Sequence, residues 1–154
     1  MHRLFVSQVV RILVVLVSAL TVAGCGGDDD TSTPTGPSTP RGEYSQVDLV
    51  VGTGTEATVG RNVTAYYTLW FYNPNGTDGK GQQIQSNVGG TPFPFLLGGN
   101  GVISGWNRGV PGMRVGGRRR LVLPPELAYG AAGNPPTIGP NATLVFEIEL
   151  LSVQ

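Results

Sequence analysis

Two stretches towards the C-terminus alternate apolar and polar positions with a period of two. In ATLVFEIELL, Leu144, Phe146, Ile148 and Leu150 oppose Val145, Glu147 and Glu149. In RRRLVLP, Arg119, Leu121 and Leu123 oppose Arg118, Arg120 and Val122. Successive strand side chains point to opposite faces, so both stretches are expected as half-buried antiparallel strands with one wet face. NVTAYYTLWFY, residues 62–72, is β-branched and aromatic, the composition of a strand, and VDLVVGTG, from Val47, is a strand ended by glycines. The polar residues 73–83 read as a long loop.

Helical spacing is found in one place, where Val102, Ile103, Trp106 and Val110 fall one, three and four residues apart. Gly109, Pro111 and Gly112 stop that helix, predicted over 103–110, after about two turns. The glycines at 99, 101 and 105 resemble a dinucleotide-binding turn, but that turn needs a long helix inside a βαβ unit, and the context here is antiparallel. A lone short helix on a β-rich chain must bury its apolar side against the sheet. The expected class is α+β.

The first forty residues follow a different pattern. Arg3 and Arg11 flank and enter the apolar run ILVVLVSAL, residues 12–20, too short to span a bilayer comfortably but suited to a signal peptide's core. Val22-Ala23-Gly24-Cys25 resembles a bacterial lipobox, which implies a lipid-modified Cys25 and accounts for the single cysteine. Gly26 follows it rather than an aspartate, pointing to an outer membrane, periplasmic side, if the cell is Gram-negative. Residues 26–43 hold no large apolar side chain and are dense in Thr, Ser, Pro, Gly and Asp, so they read as a flexible tether. Asp28, Asp29 and Asp30 read as solvated charge rather than a metal cluster. The expected organisation is a signal peptide over 1–24, a tether with lipidated Cys25 over 25–43, and a folded domain over 44–154.

Losing the leader changes the available chemistry. His2 leaves with it, and removal of Arg3 and Arg11 from ten basic residues leaves eight against ten acidic ones. Without histidine or a second cysteine, Ser-His and Cys-His nucleophiles, a histidine metal site and a disulfide are all excluded. No cofactor is expected. Near-neutral charge argues against nucleic acid. Arg118, Arg119 and Arg120 alternate faces and make a poor groove reader, so they are expected at an edge or a membrane-facing surface. Glu147 and Glu149 could form a catalytic carboxylate pair, but their position on the wet face of a strand reads as solvent exposure. Asn62 and Asn141 start Asn-x-Thr triplets, for which a bacterial lipoprotein gives no reason to expect glycosylation.

The phrases PFPFLLG, GVISGWNRGVPGM, RVGGRRRLVLPPELAYGAAG and ATLVFEIELL occur in order between Pro92 and Leu151. Together with VTAYYTLW upstream, they resemble the FKBP-type peptidyl-prolyl isomerases over residues 47–151. The resemblance implies an antiparallel sheet of about five strands wrapped around one short helix, with a pocket floored by Trp106. Matched by motif, its catalytic residues are Tyr67, Gln85, Phe93, Ile103, Trp106, Tyr129 and Phe146, with Ile84, Val102 and Ile138 also binding substrate. Phe95 reads as core. The implied partners are unfolded or flexible Pro-containing polypeptides, and macrolides of the class the family binds. This chain departs from the family at three places: Ile84 and Gln85 stand for its usual Phe-Asp pair, Leu69 for the glycine after Tyr67-Thr68, and Asn134 and Thr137 for a bulkier rim.

Such a pocket suits the reaction. Rotation about a prolyl amide is slow because it breaks amide resonance, a barrier of ~18–20 kcal/mol, and needs no covalent chemistry to lower it. The twisted amide is less dipolar than the planar one, so a dry aromatic site favours it. By resemblance, the Tyr129 hydroxyl and the Ile103 amide orient the peptide carbonyls. Two functions remain open: an isomerase acting outside the cytoplasmic membrane, and a non-catalytic chaperone or peptide-binding module of the same fold.

Overall fold

The computed structural model describes residues 41–154. The signal stretch and Cys25 lie outside the described residues, as does the tether except for residues 41–43. Those three lie against the domain: the Gly42 N–H points to Thr143 Oγ1, and Arg41 reaches Glu126 at 3.3 Å.

Six antiparallel strands, one α-helix and two short 3₁₀ segments (Thr77–Gly79 and Pro125–Leu127) form the regular structure of the described part: β1 (Ser45–Val50), β2 (Asn62–Tyr72), β3 (Lys80–Ser86), β4 (Phe93–Leu96), α1 (Ser104–Gly109), β5 (Arg118–Leu123) and β6 (Leu144–Val153). The strand order is β1-β5-β6-β2-β3, with β4 also pairing β2. Thus β2 carries β6 along one side and is shared on the other by β4, opposite residues 62–65, and β3, opposite residues 68–72.

The period-two strands are where the alternation placed them, for a simple reason. Leu121, Leu123, Leu144, Ile148 and Leu150 all turn to one face and are fully buried, a driving force of about 1.5–3 kcal/mol for each. The helix predicted over 103–110 spans Ser104–Gly109, too short to persist by itself, and is held by packing against β5. Two glycines permit that approach. A methyl at Gly105 would stand 2.5 Å from a Leu123 methyl, and one at Gly109 would stand 2.6 Å from a Leu121 methyl.

Three expectations are corrected. Residues 80–83 belong to β3 rather than to a loop, because pairing with β2 satisfies a polar backbone that lacks an apolar stripe. The arginines do not mark a sheet edge, since β5 lies between β1 and β6. Arg119 is buried, and its guanidinium grips Asp48 on β1 and the carbonyls of Gly109 and Pro111 at the end of α1. Glu147 is not simply solvated. It lies across from Arg120 in register, and its side chain is 18% exposed, bonded to Arg120 and to Lys80 at 2.8 Å. Arg120 also holds Asp78, fastening the β2–β3 connection to the outer face of the sheet.

Candidate functional site

Alternation along β2 sends Ala65, Tyr67 and Leu69 to the face that α1 covers. Register places Phe93 of β4 opposite Ala65 and Phe146 of β6 opposite Leu69. Trp106, from the middle of α1, enters this cup and is 4% exposed. Four rings meet the indole steeply: Phe95 at 5.2 Å, Tyr67 at 5.4 Å, Phe146 at 5.6 Å and Phe93 at 6.0 Å between centroids. Edge-to-face pairs of this kind contribute about 0.5–1.5 kcal/mol each beyond burial, so the indole is held rigidly. Its Nε1–H is buried without a hydrogen-bond partner among the described residues.

Above the indole lies a cavity of about 340 Å³. It is lined by Tyr67, Gln85, Phe93, Val102, Ile103, Trp106, Tyr129 and Phe146, eight of the ten residues expected at the site, together with Leu69, Asn100 and Gly101. Ile84 and Ile138 are not among the lining residues, though both pack with the core that holds Trp106 and Phe146. Ile84 is the additional residue of a β-bulge between the pairs Leu69/Gln85 and Trp70/Gln83, and it packs on the core. Ile138 is buried in the core from a loop closed by mutual Asn134 and Ile138 backbone hydrogen bonds. Phe95 is core, stacked on Phe93 at 5.8 Å. Motif matching did not identify Leu69, Asn100 and Gly101; the inward period of β2 was the available signal for Leu69.

The rim is polar but uncharged. Burial pushes the Tyr67 phenol above its ordinary range, the neighbouring Tyr129 pushes the same way, and a hydrogen bond with Gln85 opposes them. Tyr67 therefore keeps its proton at neutral pH. Tyr129 reaches the mouth from a turn after the short 3₁₀ segment Pro125–Leu127, pinned by Gly130 N–H to Pro125 O and Gly133 N–H to Tyr129 O. The Ile103 carbonyl accepts from Trp106 and Asn107, whereas its N–H bonds to nothing among the described residues. On α1, Asn107 accepts from Gly98 N–H and donates to Gly99 O, both at 2.8 Å, fixing the loop that carries Asn100, Gly101 and Val102. No group of His, Cys, Asp and Glu suited to a metal occurs among the described residues.

A model of the FKBP-type peptidyl-prolyl cis-trans isomerase family matches residues 53–151. This chain belongs to that family. Among FKBP relatives, it is 50% identical over 117 residues to the 39 kDa FK506-binding nuclear protein of Drosophila melanogaster, covering 76% of this chain and 31% of that one. It is 42% identical over 106 residues to an FK506-binding protein of Neisseria meningitidis, covering 69% of this chain and 92% of the relative. The chain thus spans about a third or less of the length of the first curated relatives it matches. Among solved structures, it is similar to AtFKBP13, with a TM-score of 0.61, 34% identity, and 72% of this chain and 93% of that one covered. It also resembles FkpA from Escherichia coli, with a TM-score of 0.59, 38% identity and coverage of 72% and 48%. Against the FKBP pattern, the departures at Leu69 and Gln85 both fall on the cavity wall.

Proposed function

We propose that this FKBP domain is a peptidyl-prolyl cis-trans isomerase that accelerates Xaa-Pro rotation in extracytoplasmic polypeptides. The observation that carries the reading is the cavity over Trp106: aromatic on its floor and walls, uncharged at its mouth, and open to a chain passing across it. A proline ring set on the indole leaves its amide between the Tyr67, Phe93 and Phe146 walls, where loss of water favours the less dipolar twisted state. The unengaged Ile103 N–H holds a carbonyl of the peptide, and the Tyr129 hydroxyl holds another, so the chain on one side of the bond is fixed while the other turns. No proton is transferred and no bond is made or broken.

The lipobox-like Cys25 supports attachment to a membrane by acyl chains, with the domain on the periplasmic side of an outer membrane if there is one. The names of the FK506-binding relatives support a macrolide of that class as a competing ligand for the same cavity. A second reading, a binding module without catalysis, draws on the neutral Gln85 and the bulk of Leu69 inside the cavity.

Isomerisation of a Leu-Pro or Phe-Pro tetrapeptide by the purified protein decides between them. Acceleration that is lost in folded W106L establishes the isomerase, and a folded wild type with no acceleration leaves the binding module. Fractionation of cells producing the protein or C25S tests the anchor, which predicts that the wild type sediments with membranes and the variant does not.

A further inference from the structure

Strands β3 and β4 share one side of β2, and the chain has to leave the sheet between them. The gap falls opposite Tyr67. β3 ends with Ser86 across from Thr68, and β4 begins with Phe93 across from Ala65. Tyr67 would lose both of its backbone bonds on that side if nothing replaced the ladder, and buried peptide groups do not go unpaired cheaply.

Asn87 supplies the shorter bonds of the replacement, and the Ser86 hydroxyl adds a longer one to Tyr67 O at 3.4 Å. Its main-chain N–H donates to Tyr67 O at 3.1 Å, and its side-chain Oδ1 accepts from Tyr67 N–H at 2.7 Å, so one residue supplies both halves of a strand pair. Its Nδ2 donates to Ala65 O at 3.4 Å and to Thr91 O at 3.1 Å, joining the next position on β2 to the turn that leads into Phe93. The Asn87 carbonyl accepts from Gly90 N–H to close that turn. Tyr67 and Phe93 are two walls of the cavity, 6.1 Å apart between ring centroids. Beside the pairing of Phe93 with Ala65, their relative placement thus draws on one carboxamide that lies outside the cavity lining.

We infer that Asn87 is a positioning residue for the prolyl site, setting Tyr67 against Phe93. The inference rests on the isomerase reading for its kinetic consequence but not for its structural one. Both ends of the carboxamide are needed: the oxygen for Tyr67, the nitrogen for Ala65 and Thr91. An aspartate has the same shape and keeps the first contact, but turns an ionised oxygen on two carbonyl oxygens. When protonated, it can donate to one of them again. The hydrogen-bond partners of the Asn87 side chain are main-chain groups, and no ion pair or hydrogen bond joins it to a charged side chain among the described residues. The phenol of Tyr66, which reaches Gly90 O, is the titratable group tied to the same turn.

The test compares N87A and N87D with wild type in two ways, at a temperature where all three are folded by circular dichroism. In a protease-free Leu-Pro peptide assay, N87A is expected to lose about tenfold in kcat/KM. N87D is expected to lose as much near pH 7 and to recover as pH falls towards the pKa of the new carboxyl, while wild type stays flat. A uniform loss in N87D at every pH, or wild-type kinetics in N87A, overturns the inference. NMR gives the arm that does not depend on catalysis: N87A should shift the Tyr67 and Phe93 amides and the Trp106 indole N–H, with the signals of β1 and β5 unmoved. If those three signals keep their wild-type positions, Asn87 does not position the walls. A wild type that is inactive but shows the NMR shifts in N87A sinks the isomerase reading and leaves the positioning role intact.

Discussion

Arg119 meets Asp48 through two parallel hydrogen bonds, Nε to Oδ1 at 2.6 Å and Nη2 to Oδ2 at 3.0 Å, and the same guanidinium donates to Gly109 O at 2.8 Å. One side chain therefore ties the edge strand β1 to β5 and to the C-terminal end of the helix bearing Trp106, where cationic donors suit the unpaired carbonyls. Asp48→Ala would leave a guanidinium whose side chain is 9% exposed without its counter-ion, held only by the Gly109 and Pro111 carbonyls. The expected loss is about 2 kcal/mol, less than for a fully buried pair because Asp48 is 42% exposed. Urea denaturation at pH 7 measures it.

Acid should weaken the fold through the same pair and one other. The hydrogen bond from Arg119 holds the Asp48 carboxyl below its ordinary range against the opposing effect of burial. Burial raises Glu147, but the hydrogen bonds and charges of Lys80 and Arg120 together outweigh it and leave it lowered. A carboxylate lowered in the folded state binds fewer protons there than in the unfolded chain. Its contribution is therefore complete above the unfolded value, about pH 4, and is lost as pH falls through the folded one. Thermal unfolding measured from pH 6 downwards should show a constant Tm giving way to a decline below about pH 4, with D48N flattening part of it.

Catalysis should respond to pH differently. Among the described residues, no carboxylate, histidine or cysteine lines the cavity, so the kcat/KM of the wild type is expected to be level from about pH 5 to 8. A bell-shaped profile would point to a titrating group that the proposed mechanism lacks.

The floor can be displaced without touching it. Gly105→Ala would place a methyl 2.5 and 2.6 Å from the two Leu123 methyls and 2.8 Å from Leu127 O. Overpacking of this sort costs about 1–3 kcal/mol and moves α1 away from β5. Lower stability in urea, with reduced isomerisation per folded molecule, is expected for G105A. Gly139→Ala, where an added Cβ meets nothing within 4 Å, serves as the control and should do neither.

Removing the rim hydroxyl separates orientation from fit. Tyr129→Phe keeps the ring at the mouth and removes only the hydrogen bond proposed to substrate, so a fall of about three- to tenfold in kcat/KM is expected, with stability unchanged. Steady-state peptide kinetics beside a melting curve checks both halves.

How much of this was legible in the sequence follows from which signals are local. Strands β5 and β6 were legible because each must bury one face, and alternation states that directly. The helix was legible because Trp106 and its neighbours share one side and glycines end it. β3 was not, since KGQQIQS has no apolar stripe and owes its strand conformation to β2. The bulge at Ile84 was hidden for the same cause: it shifts the register of β3 on β2, and no motif shows it. Arg119 looked like one of three surface charges because its partners are 71 residues away on β1 and around residue 110 on the chain. Leu69 was legible as a departure from the family pattern and, by the period of β2, as sharing the face of Tyr67, whereas the reach of the cavity to it is a matter of the folded structure.

The two tryptophans of the chain lie in opposite surroundings. Trp106 is enclosed by rings at the base of the cavity, while Trp70 lies on β2 with the Lys80 ammonium 5.0 Å from its ring centre. A ligand entering the cavity changes the solvent around the first indole and leaves the second as it was. The protein is therefore its own optical titration reagent: in a W70F background, excited beyond the tyrosine absorption band, indole emission would come from Trp106 alone and report occupancy of the site directly, without a label or a coupled reaction.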